Sequence, residues 1–167
     1  MTSLPPWIPI AEDLIGTKEK PGSENNPKIM AWAKSLGNPV SRDYTADSIP
    51  WCGLFVAYSL SQAGIDPITS PLWALSWKNF GESLSKPVFG CIYTRHRDGG
   101  GHVGFLVSQD NDYWHVLGGN QSDMVNVTRI SKSAKCYFNF PEGFDNYKTA
   151  LPTKKYDGKM PLSLKFD

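Results

Sequence analysis

The sequence predicts an α+β domain, with helices gathered on one face of a mainly antiparallel sheet of about five strands. Apolar residues recur at helical spacing from Trp7 to Phe80, whereas short β-rich runs separated by Gly, Asn and Asp turns fill the stretch from Val88 to Phe140. The two textures do not interleave, which argues against a parallel βαβ arrangement.

The first helix lies within residues 5–16, where Trp7, Ile8, Ala11, Leu14 and Ile15 follow a Pro-Pro start and Gly16 supplies a stop. The second spans Pro27 to Leu36, with Ile29, Trp32, Ala33 and Leu36 on one face and Gly37 beyond its end. Residues 38–50 read as loop. A third helix runs from Trp51 to Ala63, where Phe55, Val56, Ser59, Leu60 and Ala63 form a buried stripe headed by Cys52, and Gly64 closes it. A shorter fourth follows Pro71 in LWALSWKNFG, in which Trp73 and Trp77, at i and i+4, are expected to pack together. Five strands then follow as a meander: VFGCIYTR, HVGFLVSQ, DYWHVLGG, MVNVTRIS and KCYFNF. Gln109 to Asp112 forms a hairpin turn, and GGNQSD separates the third strand from the fourth. Periodicity is lost after Pro141, so residues 1–145 are read as the domain and 146–167 as a polar, Pro-containing tail that is either mobile or wrapped on the core.

Composition narrows the function classes. At 167 residues the chain fits one domain that buries roughly two thirds of its unfolded surface without a staple. Seventeen Lys and Arg against sixteen Asp and Glu give no broad electrostatic reason to bind nucleic acid or an anionic membrane. Three cysteines without a C-x-x-C pair argue against both a disulfide framework and a zinc knuckle, and leave at least one thiol free. Neither a basic-then-apolar leader nor an apolar run of about eighteen residues is visible. The expectation is therefore a monomer made in a reducing cytoplasm without a signal peptide or membrane span, acting elsewhere only after lysis, injection or dedicated secretion.

The chemistry centres on Cys52, at the start of its helix. Unpaired first-turn amides and the helix dipole, about half a positive charge, are expected to lower its thiol pKa. A thiolate attacking an amide also needs a base near neutrality, which points to histidine. His96 lies between two arginines. His115 is internal to a strand. His102 opens a strand directly after Gly99, Gly100 and Gly101, and is the best base. Its other ring nitrogen needs an acceptor. Asn120 in the GGNQ corner is the first choice, with His115 and Gln121 as alternatives. For the oxyanion, the Cys52 backbone amide is the natural donor, with Tyr44 or Asp47 from the preceding loop shaping the pocket. Trp51, beside the nucleophile, is expected to line the substrate groove, with Gln121 also near substrate, while Cys91 and Cys136 are read as structural.

These residues resemble the NlpC-like and CHAP families of papain-fold peptidoglycan hydrolases, in the order Cys-helix, strand beginning HVGF, polar third member. The blocks PWIPIAEDLIGTKEKPGSENNPKIMAWAKSLG, WCGLFVAYSLSQAG, LWALSWKNFGESLSKPVFGCI, GGGHVGFLVSQ and VLGGNQSDMVNV are similar, in order, to those of a phage and bacterial subgroup, over about Pro5 to Pro141. The resemblance implies a papain-like domain that cleaves an amide in the peptide stem of bacterial cell wall. Cys52 would be nucleophile, His102 base and Asn120 third member, with no metal and no organic cofactor. Such an enzyme would be a phage lysin, a phage tail component or an injected effector, the last needing an immunity protein in its producer. The alternatives are a non-catalytic wall-binding or assembly module on the same scaffold, or a Cys-His transferase or deamidase acting on protein.

Overall fold

The computed structural model describes residues 4–154. Within them the helices are α1 (Trp7–Asp13), α2 (Pro27–Ser35), α3 (Val40–Asp43) and α4 (Cys52–Gln62), followed by 3-10 helices at Ala74–Asn79 and Asp145–Tyr147. The strands are β1 (Glu82–Leu84), β2 (Ile92–Arg97), β3 (Gly100–Gln109), β4 (Tyr113–Gln121), β5 (Met124–Ser131) and β6 (Cys136–Phe140). The architecture is α+β, with a six-stranded antiparallel sheet.

Local chemistry accounts for the helix starts. At α2, the Asn26 side chain accepts from the Lys28 amide at 2.8 Å and Pro27 occupies the first helical position, where a missing N–H costs nothing. No side chain caps α4. Its residues Leu54, Phe55, Val56 and Ala57 are all fully buried, so the apolar surface runs round the helix rather than along one stripe. A helix apolar on all sides belongs in the middle of a domain. Accordingly α4 lies between α1 and α2 on one side and β3 and β4 on the other, with Trp32 stacked on Tyr58 and Phe55 edge-on to Phe105.

The strand order is β1-β6-β2-β3-β4-β5, which corrects the expected meander. Four strands follow one another, but β6 returns to pair with β2 at the far side. Curling of the sheet makes that return short: Trp114 on β4 and Phe138 on β6 meet with ring centroids 5.3 Å apart. In a flat sheet, with β2 and β3 between them, those strands would stand about 14 Å apart.

Other departures are local. Val40–Asp43 and Glu82–Leu84 form short elements where no element was expected. The fourth helix is 3-10 rather than α, so its three-residue turn does not bring i and i+4 side chains together. Trp77 is buried, donates to the Pro71 carbonyl and packs on Phe80, while Trp73 is 63 % exposed. The expected packing of Trp73 against Trp77 is thus not what the chain adopts. β4 also runs through GGNQ, and only Ser122 and Asp123, both at positive φ, make the turn into β5. The tail docks in part: Thr149 accepts from the Phe89 amide, and Pro152 and Lys154 bond the backbone of Gln109. Residues 155–167 lie outside the described residues. No helix among the described residues is long and apolar enough to cross a membrane.

Candidate active site

The register of β3 against β4 ends at Phe105↔Leu117, so the first residues of β3 have no β4 partner. The start of α4 meets β3 at this opening. The backbone amides of Val103, Gly53 and Cys52 itself act on the Cys52 thiol so as to favour its thiolate. Val103 follows His102 directly, so the helix start meets β3 next to the residue that carries the imidazole. Close packing fixes the helix start in turn: a Cβ at Gly53 would collide with the Pro71 carbonyl oxygen, which leaves room for glycine alone.

His102 is 5 % exposed, and its Nε2 lies 2.9 Å from Gln121 Oε1. Gln121 Nε2 donates to the Val116 carbonyl at 3.1 Å, and to the Asn126 carbonyl and Asn126 Oδ1 at 2.9 Å each. The Asn126 amide is oriented by its own donation to the Gln121 carbonyl at 2.9 Å. These acceptors settle which end of the Gln121 amide is oxygen, and that oxygen faces the imidazole. His102 must therefore donate from Nε2, and its Nδ1 keeps a lone pair. A histidine in that tautomer is set up as a base at Nδ1.

The partner of His102 is Gln121, not Asn120. The GGNQ corner points to Asn120 in the sequence, but β4 carries an irregularity between Gly118 and Gln121 that reverses the expected alternation. Asn120 sits at φ +57° within it, and Gln121 swings back over Gly118, where a Cβ would come within 2.6 Å of Gln121 Oε1. His115, the other alternative, is committed elsewhere. Its Nδ1 lies 2.6 Å from Ser108 Oγ and its Nε2 2.8 Å from Asp110 Oδ2, all near the β3–β4 turn. Ser108 is 1 % exposed, so this Ser-His-Asp line cannot meet a substrate.

The expected substrate contacts fall mainly in the core. Trp51 is fully buried, tilted against Trp32, with its Nε1 3.4 Å from Glu19 Oε1. Tyr44 donates to the Ile49 carbonyl at 3.2 Å. Asp47 Oδ2 accepts from the amides of Lys20 and Asn26 at 2.8 Å each, which clamps the loop before α2. Facing solvent beside the thiol instead is Trp73, which lines a cavity of about 180 Å³ with Cys52, Pro50, Arg97 and Gly99–Gly101. Sequence periodicity missed Trp73 because it assumed α-helical spacing. His102 and Gln121 line a neighbouring cavity, and Arg97 borders both.

Burial decides the charge state of the pair. It pushes the Cys52 thiol up, against the lowering effect of the Val103 and Gly53 amides and the Arg97 charge. The expected depression by the helix end is present but loses to desolvation. Burial likewise lowers His102 to about 4, with the Gln121 bond opposing and the Arg95 and Arg97 charges adding to the effect. At rest the thiol and the imidazole are both neutral. Cys91 is fully buried and raised to about 12, and Cys136 is raised by burial too. No group of side chains suited to hold a metal ion occurs among the described residues. The sequence matches no protein-family model and no curated protein.

Proposed function

We propose that this chain is a papain-like cysteine hydrolase of the NlpC/CHAP type, cleaving an amide in the peptide stem of bacterial cell wall. The observation that carries the reading is the Gln121–Asn126 network, which leaves the Nδ1 lone pair of His102 free, on the strand whose next residue, Val103, presents its amide to the Cys52 thiol. The structural His115 has both ring nitrogens engaged, whereas His102 has a hydrogen-bond partner at Nε2 alone. A general base needs such a free nitrogen.

In the proposed reaction the sulfur of Cys52 bonds to the substrate carbonyl carbon as its proton passes to His102 Nδ1. Nε2–H remains on Gln121, which stabilises the imidazolium as it forms. The first-turn amides of α4 have no side-chain cap, which leaves them to receive the oxyanion. His102 then protonates the leaving amine, and water hydrolyses the thioester with the same imidazole as base. The neutral resting pair makes this a general-base attack rather than one by a stored thiolate. Trp73, exposed at the edge of the Cys52 cavity, offers an apolar face to the substrate. Delivery by a phage or by injection into a neighbouring cell fits the same chemistry.

The test is digestion of purified wall followed by mass spectrometry. New amine and acid ends are expected with wild type and none with Cys52→Ala or His102→Ala. Turnover retained by Cys52→Ala would reject the mechanism, added groups would indicate a transferase, and unchanged fragments a binding module.

A further inference from the structure

Beside His102 lies a cavity of about 230 Å³ whose walls carry Arg95, Arg97 and Arg129, together with Ser122 and Thr128, and no carboxylate. Arg129 is already paired, with Asp110 accepting from its guanidinium at 3.2 Å. Among the described residues, Arg95 and Arg97 have no ion-pair partner, and the Nε of Arg95 is buried without an acceptor. Two guanidinium groups that line one cavity without a counter-charge leave hydrogen-bonding capacity that an anion can complete. Position sharpens the point. Arg95 is the direct cross-strand partner of His102, and Arg97, two residues on, shares its face.

We propose that this cavity is an anion subsite, in which Arg95 and Arg97 clamp a carboxylate of the substrate peptide while the amide to be cut lies over Cys52. The assignment rests on the hydrolase reading above and adds the charge requirement of its substrate. A carboxylate suits the site because the guanidinium fork matches two coplanar oxygens, and because an amide-cleaving pair calls for a peptide in the adjoining space. Binding also aids the base. Arg95 and Arg97 depress His102, and a bound carboxylate would offset their charge.

The experiment titrates the folded Cys52→Ala protein by calorimetry with muramyl dipeptide amidated at its γ-carboxyl and carrying either a free α-carboxylate (isoglutamate) or an α-carboxamide (isoglutamine), and separately with inorganic phosphate. The two dipeptides differ by one free carboxylate. Isoglutamate is expected to bind roughly 10- to 100-fold more tightly than isoglutamine. Arg97→Gln and Arg95→Gln should each reduce that preference, while Arg95→Lys retains part of it. Arg97→Gln is the safer variant, since Arg97 is exposed. Equal affinities for the two dipeptides, or a preference unchanged by both glutamine substitutions, would overturn the proposal, and phosphate binding as tightly as isoglutamate would overturn the carboxylate assignment. Because the readout is binding, a carboxylate preference without any wall cleavage by wild type would sink the hydrolase reading alone. Cleavage of acid and amide peptides with equal efficiency would sink the subsite alone.

Discussion

Replacing Gln121 by Leu tests the link between the network and the chemistry. Leucine keeps most of the volume but removes the acceptor of His102 Nε2–H and the donor to Val116 O, Asn126 O and Asn126 Oδ1. A buried polar group left unpaired costs about 1–3 kcal/mol. The carbonyls have other opportunities, so the expected loss is about 3 kcal/mol, dominated by the imidazole N–H and Asn126 Oδ1. Activity should suffer more than stability. Loss of the group that fixes a catalytic histidine's tautomer costs on the order of 10⁴ in kcat in a serine protease triad, and a drop of about 10²–10⁴ is expected for this neutral orienter. Urea unfolding reads the stability, wall turbidity the rate, and imidazole ¹⁵N correlation spectra the tautomer. Wild type should carry its His102 proton on Nε2, and the variant should show a mixture. Asn120→Gly, which keeps the left-handed backbone, should leave the tautomer intact. A wild-type spectrum with the proton on Nδ1, or a Gln121→Leu protein with unchanged spectrum and rate, would refute the argument.

Two further predictions concern the same groups. His102 titrates at about 4 in the fold against about 6.5 when unfolded, so the unfolded chain takes up a proton that the native state refuses. Its contribution is complete above about pH 6.5 and is lost as pH falls toward 4, to a total of about 3 kcal/mol. Asp110, held near 2, weakens the fold only at lower pH, while Glu12 and Glu19, raised by burial, act in the opposite sense within the window, so the comparison with a His102 variant isolates the imidazole. Urea midpoints at pH 7 and pH 4.5 should differ in wild type and differ less in His102→Gln, and the same pH shift in both proteins would show the burial argument to be wrong. Trp73→Ala should leave stability within about 0.5 kcal/mol, because the side chain is 63 % exposed, yet raise KM for wall substrate several-fold. An unchanged KM would remove Trp73 from the substrate path.

Residue order made some of the site legible and strand geometry hid the rest. Cys52 and His102 stand out because a helix start and a glycine-preceded strand end are local features, read without knowing the sheet. Choosing between Asn120 and Gln121 depended on a break in strand alternation, and only the pairing of β4 with β5 exposes it. Trp73 departs from its expected place because the segment it leads winds as a 3-10 helix, a difference its apolar pattern does not record. Asp47 looks like a pocket residue in sequence, yet its acceptors serve two backbone amides more than twenty residues away. The position of β6 was hidden too, since pairing across a curled sheet leaves no mark at short range.

The Ser108–His115–Asp110 line has its effect at a distance. It fastens one end of the β3–β4 hairpin, while His102 stands toward the other end of β3 and Gln121 at the other end of β4. If the hairpin slid by a single step, one of those two side chains would turn to the opposite surface and the pair would separate. A buried rivet that never touches substrate thus sets the alignment on which proton transfer depends, and drift in its three residues would be felt as lost turnover well before it was felt as lost fold.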